Sequence, residues 1–215
     1  MKIGMLPTIF FVLALSCLAP DLRAAGSAAP ASGVYGELTL GYDPQSQTLS
    51  GYYQNGTGQD ASGQGPLFSC IFALLGKRQG EGFAVQTWFP GEGKAQQVIS
   101  GRLQFLAGAG AEPGSVRLKL DEEPGGCGMV DPDLAKAEGS QRTLDTPGSW
   151  TAVRVVSAKR AHFYGSPEAV APRKTYVVRG DGLRVWEQKP GWVLAEFEGR
   201  NRGWIQEKDL FPTRP

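Results

Sequence analysis

The sequence predicts an all-β protein in two parts, an antiparallel barrel or sandwich followed by a smaller all-β module. Three observations carry that expectation. From Val34 onward, short runs alternate apolar and polar residues, as in Ser115-Val116-Arg117-Leu118-Lys119-Leu120, and clusters such as Asn55-Gly56-Thr57-Gly58 punctuate them. No stretch of the first part keeps a long helical apolar period. Near the end, two Gly-Trp pulses, Gly191-Trp192-Val193 and Gly203-Trp204-Ile205, bracket a short charged turn.

Taken from the start, Met1-Lys2 leads into a nearly all-apolar run from Ile3 to Ala19, followed by small residues around Arg23-Ala24-Ala25. That order is the pattern of a secretory signal peptide, expected over residues 1–25. A signal anchor is the alternative, although the run is marginal for a span of ~20 residues. Cys17 after Leu15-Ser16 raises lipoprotein processing, but the Leu such sites favour stands one position too early, at Leu13. Residues 26–33 are small and rich in breakers, which predicts a flexible leader. Strands are expected near 34–41, 47–54, 67–75, 82–89, 97–106 and 115–121, within a barrel or sandwich domain over 34–135. Residues 136–150 hold few apolar side chains and contain Thr146-Pro147-Gly148-Ser149, which predicts a linker. The second module then covers 151–215. No other long apolar run exists, so no membrane span is expected once the leader is removed.

Removal of that leader leaves Cys70 and Cys127 as the two thiols. In an oxidising compartment they most simply pair, and closing a loop of this length contributes about 4 kcal/mol in the chain-entropy model. Two buried free thiols are the other possibility. The charge divides unevenly: residues 26–148 hold 8 Lys/Arg against 13 Asp/Glu, and residues 149–215 hold 12 against 7. The halves therefore carry net charges of −5 and +5. Such a dipolar chain suits docking of the halves on each other, a basic half facing an anionic envelope, or two ordinary solvated surfaces. No nucleic-acid partner is expected.

The second module carries a series of short motifs. Ala161-His162-Phe163-Tyr164 and Ser166-Pro167 precede Tyr176-Val177-Val178-Arg179-Gly180-Asp181 and Leu183-Arg184-Val185-Trp186. Gly191-Trp192-Val193, Gly203-Trp204-Ile205 and Asp209-Leu210 complete it. In order and spacing, over roughly residues 152–211, the series resembles the bacterial SH3 (SH3b) family. The resemblance implies a small SH3-like barrel, of a kind that binds peptidoglycan peptides in some cell-wall hydrolases and is a structural appendage elsewhere. Alternation places Val193, Ala195 and Phe197 on a core face and Trp192, Leu194 and Glu196 on the other. Aromatic residues on the non-core faces, Tyr164, Tyr176, Trp186, Trp192 and Trp204, are the expected ligand-binding residues. For Trp192 and Trp204, half-buried closure of the barrel is the competing role. Proline-rich ligands are not expected, because the loop from Gly165 to Thr175 offers Glu168 alone among acids and adds Arg173 and Lys174.

In the first domain, Leu49-Ser50-Gly51-Tyr52-Tyr53, Leu74-Leu75-Gly76, Phe83-Ala84-Val85-Gln86-Thr87-Trp88 and Ile99-Ser100-Gly101-Arg102-Leu103 are similar to the strand pattern of avidin-like barrels. The strand from Val116 to Asp121 lacks the aromatic residue that biotin sites of that family use, so biotin binding is not implied. An acidic loop follows, with Asp121, Glu122, Glu123, Asp131 and Asp133 on either side of Cys127. Hard oxygen ligands in a constrained loop suit Ca²⁺ or the basic face of a partner protein, and a solvated loop is the plain alternative. The spacing matches no EF-hand, and no metal or cofactor is expected.

One histidine, His162, is the whole supply of imidazole, and no serine or cysteine near it forms a nucleophile motif. Catalysis by carboxylates alone remains compatible with the composition. The expectation is a non-catalytic, exported envelope protein, periplasmic or secreted, that binds peptidoglycan or an envelope protein through its SH3b-like module. An inhibitor or immunity-type protein that neutralises an envelope-attacking enzyme through the acidic loop is the alternative.

Overall fold

The computed structural model describes residues 26–91 and 97–212; the expected signal peptide, with Cys17, lies outside the described residues. Period-two alternation governs the first eight strands: β1 (Gly33–Tyr35), β2 (Leu38–Asp43), β3 (Thr48–Thr57), β4 (Phe68–Gln79), β5 (Gly82–Trp88), β6 (Ile99–Leu106), β7 (Ser115–Leu120) and β8 (Ser140–Pro147). Each pairs antiparallel with the next, and β8 returns to β1, so the sheet closes into a barrel. In β7 the buried Val116, Leu118 and Leu120 alternate with the outward Arg117 and Lys119. Side chains fill the interior: the Tyr53 and Phe72 rings stack at 4.8 Å, and Phe83 meets Phe105 edge-on at 6.0 Å. Closure removes exposed sheet edges, and the filled interior makes a packed core rather than a pore.

Two sequence expectations are corrected here. The expected linker over 136–150 contains β8, the strand that closes the barrel against β7 and β1. Its alternation is hidden because two of its inward positions are polar, Ser140 and Arg142, with Leu144 following. The expected flexible leader is tied to β6, since Ala28 N–H donates to Phe105 O at 3.0 Å and Ala107 N–H to Gly26 O at 2.9 Å.

Arg142 is inward because an acid waits for it. Its guanidinium pairs with Asp131, bonds Glu37 Oε2 at 2.6 Å, and lies over the Tyr53 ring at 4.8 Å. Asp131 also accepts from Ser140 Oγ at 3.1 Å and from the Tyr53 hydroxyl at 3.3 Å. A disulfide joins Cys70 in β4 to Cys127 in the loop after β7, the pairing expected from the sequence. Such a bond fits an oxidising compartment. Among the described residues no helix is long and apolar enough to cross a membrane.

The second half folds into β9 (Ala152–Val155), β10 (Arg160–His162), β11 (Tyr176–Val178), β12 (Gly182–Lys189), β13 (Trp192–Phe197) and β14 (Asn201–Gln206), then a single 3₁₀ turn over Glu207–Asp209. Four of these form a sheet in the order β14-β13-β12-β9, and β10 pairs with β11. This half has its own apolar core, including Phe163, Leu183, Val185, Val193 and Ile205.

The two halves meet where β9 lies on β2 and β3. Trp150 Nε1–H donates to Leu40 O at 2.8 Å, and Val153 N–H donates to Ser50 Oγ at 2.8 Å, whose hydroxyl in turn reaches Gly41 O at 3.4 Å. The approach is close enough to require glycine. A Cβ on Gly41 would stand 2.5 Å from the Ala152 carbonyl carbon, and one on Gly182 would stand 2.4 Å from Tyr52 Cδ1. The first clash is with three backbone atoms of β9, and the second is with a single half-buried side chain, the Tyr52 ring. Gly41→Ala is therefore expected to cost about 2 kcal/mol by forcing the halves apart, and more than Gly182→Ala costs. Thermal denaturation of the two variants checks this, and equal melting points would contradict it.

Candidate functional site

Turn chemistry and alternation build one face of the second half. Gly191 at φ 75° turns β12 into β13, and Glu198 and Gly199 at φ 51° and 70° turn β13 into β14. Along β13, Val193 and Ala195 are buried and Phe197 is half-buried against the same core, as alternation requires. Trp192, Leu194 and Glu196 therefore share the opposite, outer face. Register then places Lys189 beside Trp192, Trp204 beside Leu194, and Arg184 and Arg202 on either side of Glu196.

Cations cover the rings on this face. Arg202 lies 4.4 Å over the Trp186 ring, Lys189 Nζ 4.7 Å over Trp204, and Arg184 4.6 Å over Trp150. Each such contact contributes about 0.5–1 kcal/mol where exposed. Arg184 also pairs with Glu196 at 3.6 Å. A bulge between Val185 and Glu187 sets Trp186 edge-on to Trp150 at 5.8 Å. Tyr164 meets Trp192 edge-on at 4.9 Å and bridges β14 through two backbone bonds with Trp204, at 2.7 and 3.0 Å.

The five sequence-expected aromatics thus separate. Tyr164, Trp192 and Trp204 come together, and Trp186 sits on the same sheet face with Trp150 as its neighbour. Tyr176 does not join them: it lies on the β10–β11 pair against His162 at 5.6 Å and under Arg160 at 4.8 Å. Trp204 is 7 % exposed, so its indole packs and offers little surface to a ligand. The two Gly-Trp pulses have different causes. Gly191 is a left-handed turn residue, whereas Gly203 lets the chain at Tyr164 pass close to β14, since a Cβ there would stand 2.9 Å from Tyr164 O. Sequence reasoning missed Trp150, Lys189 and Arg202. Period two along Arg202-Gly203-Trp204 held the signal for Arg202, but nothing local connects Trp150 to Trp186.

The acidic loop does not form one surface. Asp121, Glu122 and Glu123 are exposed, and Asp133 is exposed but paired with Lys136 at 2.7 Å. Asp131 is buried in the ion pair with Arg142, which corrects its assignment as a protein-contact residue. Among the described residues no three His, Cys, Asp or Glu side chains are gathered to hold a metal ion.

A cleft of about 270 Å³ runs between the halves beside Tyr52, Asp181 and Glu198. Burial pushes the Tyr52 hydroxyl up to about 12, with the Asp181 charge adding to it. Burial also raises the Asp181 carboxyl, and Glu198 adds to that. Asp181 accepts the Val178 N–H at 2.8 Å, which holds the turn between β11 and β12. His162 is half-exposed, with Nδ1 3.3 Å from Arg173 O.

No protein-family model, curated protein or solved structure matches this chain.

Proposed function

We propose that the chain is an exported, non-catalytic binding protein of the bacterial envelope, and that β9 to β14 form an SH3b-like barrel which engages peptidoglycan. One observation carries the reading. The outer face of β12, β13 and β14 sets half-exposed rings, Trp186 and Trp192, among Arg184, Lys189 and Arg202. Peptidoglycan offers the complementary chemistry, sugar faces for the rings and stem-peptide carboxylates for the cations. Tyr164 buttresses Trp192, and Trp204 supports the face from beneath Lys189. Export is supported by the apolar leader and by the disulfide, which suits a periplasmic or secreted protein.

Co-sedimentation of the chain from residue 26 onward with purified sacculi tests this. Specific pelleting is expected, sensitive to salt and reduced about tenfold by Trp186→Ala/Arg202→Ala and by Trp192→Ala, each worth ~1.4 kcal/mol of binding. Absence of pelleting from a folded protein would turn the search to a protein partner for this face.

A further inference from the structure

At the barrel end that carries the disulfide, the start of β4, the end of β5 and the start of β6 surround an open groove of about 430 Å³. Its walls are apolar, built from Ile71, Trp88, Phe89, Ile99 and Pro124. Exposed apolar residues flank the lining along the chain, with Leu67 and Phe68 before Ser69 and Val98 between Gln97 and Ile99. Leu67, Phe89 and Met129 are 57 %, 57 % and 65 % exposed, and with Phe68 and Val98 they make up five of the eight large hydrophobics exposed among the described residues. Exposed apolar side chains flanking an apolar groove along the chain mark it as an interaction site.

The rim carries a carboxylate. Gln97 donates its side-chain amide to Glu122 Oε2 at 3.2 Å, which fixes that carboxylate at the groove's mouth. Among the described residues, the charged side chains within two positions of the groove's lining are Glu122 and Glu123, both exposed. Cys127, two residues before Met129, is bonded to Cys70, so the loop bearing Met129 is pinned to β4. A surface held in place before binding loses less freedom on association.

We propose that this barrel end docks a basic, apolar peptide segment of a partner protein. The partner's apolar side chains occupy the groove, and its Lys or Arg side chains meet Glu122 and Glu123. A peptide is long enough to reach beyond the groove to Glu122, which accepts from the lining residue Gln97, and this favours it over a small molecule. The site lies on the opposite half of the chain from the aromatic face and stands independently of the peptidoglycan reading.

Fluorescence anisotropy of a labelled peptide alternating Lys with Leu and Phe tests the proposal, using the chain from residue 26 onward with its disulfide intact. Two control peptides replace Lys by Glu, or Leu and Phe by Ser. The Lys/Leu/Phe peptide is expected to bind, and more weakly as salt rises. Phe89→Ser/Met129→Ser and Glu122→Lys/Glu123→Lys should each weaken it about tenfold or more. Arg202→Ala should leave it unchanged. All four substituted residues are solvent-exposed. Should the apolar pair nonetheless disturb the fold, the glutamate pair decides. Failure of the peptide to bind, equal binding of the Glu-containing control, or affinity unaltered by charge reversal would overturn the proposal.

Discussion

Replacing both bridging cysteines, as Cys70→Ala/Cys127→Ala, is expected to lower stability by about 4 kcal/mol, the chain-entropy value for cross-linking residues 57 apart. For a domain of this size that is a fall in Tm of roughly 12 °C. The cross-link ties β4 to a loop that would otherwise be anchored by its own contacts alone, so the unfolded chain gains much freedom when it is lost. Both cysteines are fully buried, which makes the double variant a cleaner measurement than adding reductant to the folded protein. Thermal melting of the variant beside the oxidised parent checks it. An unchanged Tm would mean that the barrel holds this loop without the bond.

The second large effect is expected at the ion pair inside the barrel. Arg142→Met leaves Asp131 and Glu37 without their cation, and Asp131 is 8 % exposed. Losing one member of a buried pair costs about 3–5 kcal/mol, because the remaining charge stays desolvated. Replacing both members, as Arg142→Met/Asp131→Leu, should cost less than the sum of the single changes. Urea denaturation of the four proteins in this cycle gives the answer. Additive losses would show that the two charges do not depend on each other. The same geometry disqualifies charge reversal at Asp131 as a probe of partner binding, since it would report on the fold.

Much of the architecture was legible before any coordinate. Alternation over Ser115–Leu120 marked β7 as a strand, and alternation in β13 named Val193, Ala195 and Phe197 as the core face, where the first two are buried and the third half-buried. Two cysteines with one plausible partner each gave the disulfide. The strand at 140–147 was illegible for the opposite reason: an inward serine and arginine satisfied by Asp131 and Tyr53 look, in one dimension, like a polar linker. Alternation reports burial of apolar groups, and it is blind to polar groups buried with partners.

The candidate site shows the same division. Local pattern proposed five aromatics and assigned most of them to outward faces, but it had no means of measuring which rings share a surface. Trp186 joined Trp150 through a bulge, Tyr176 went to the β10–β11 pair, and Trp204 disappeared beneath Lys189 and the chain at Tyr164. The groove at the disulfide end escaped entirely, because Ile71, Trp88, Ile99 and Pro124 come from four separate segments. By itself, then, the sequence determined the all-β class, the core face of β13 and the cross-link. These depend on near-neighbour periodicity and on covalent chemistry. Tertiary structure alone decided barrel closure by β8, the docking of β9 at Gly41, and which exposed rings and acids form common surfaces. Those depend on contacts between residues far apart in the chain, whose energies no short window contains.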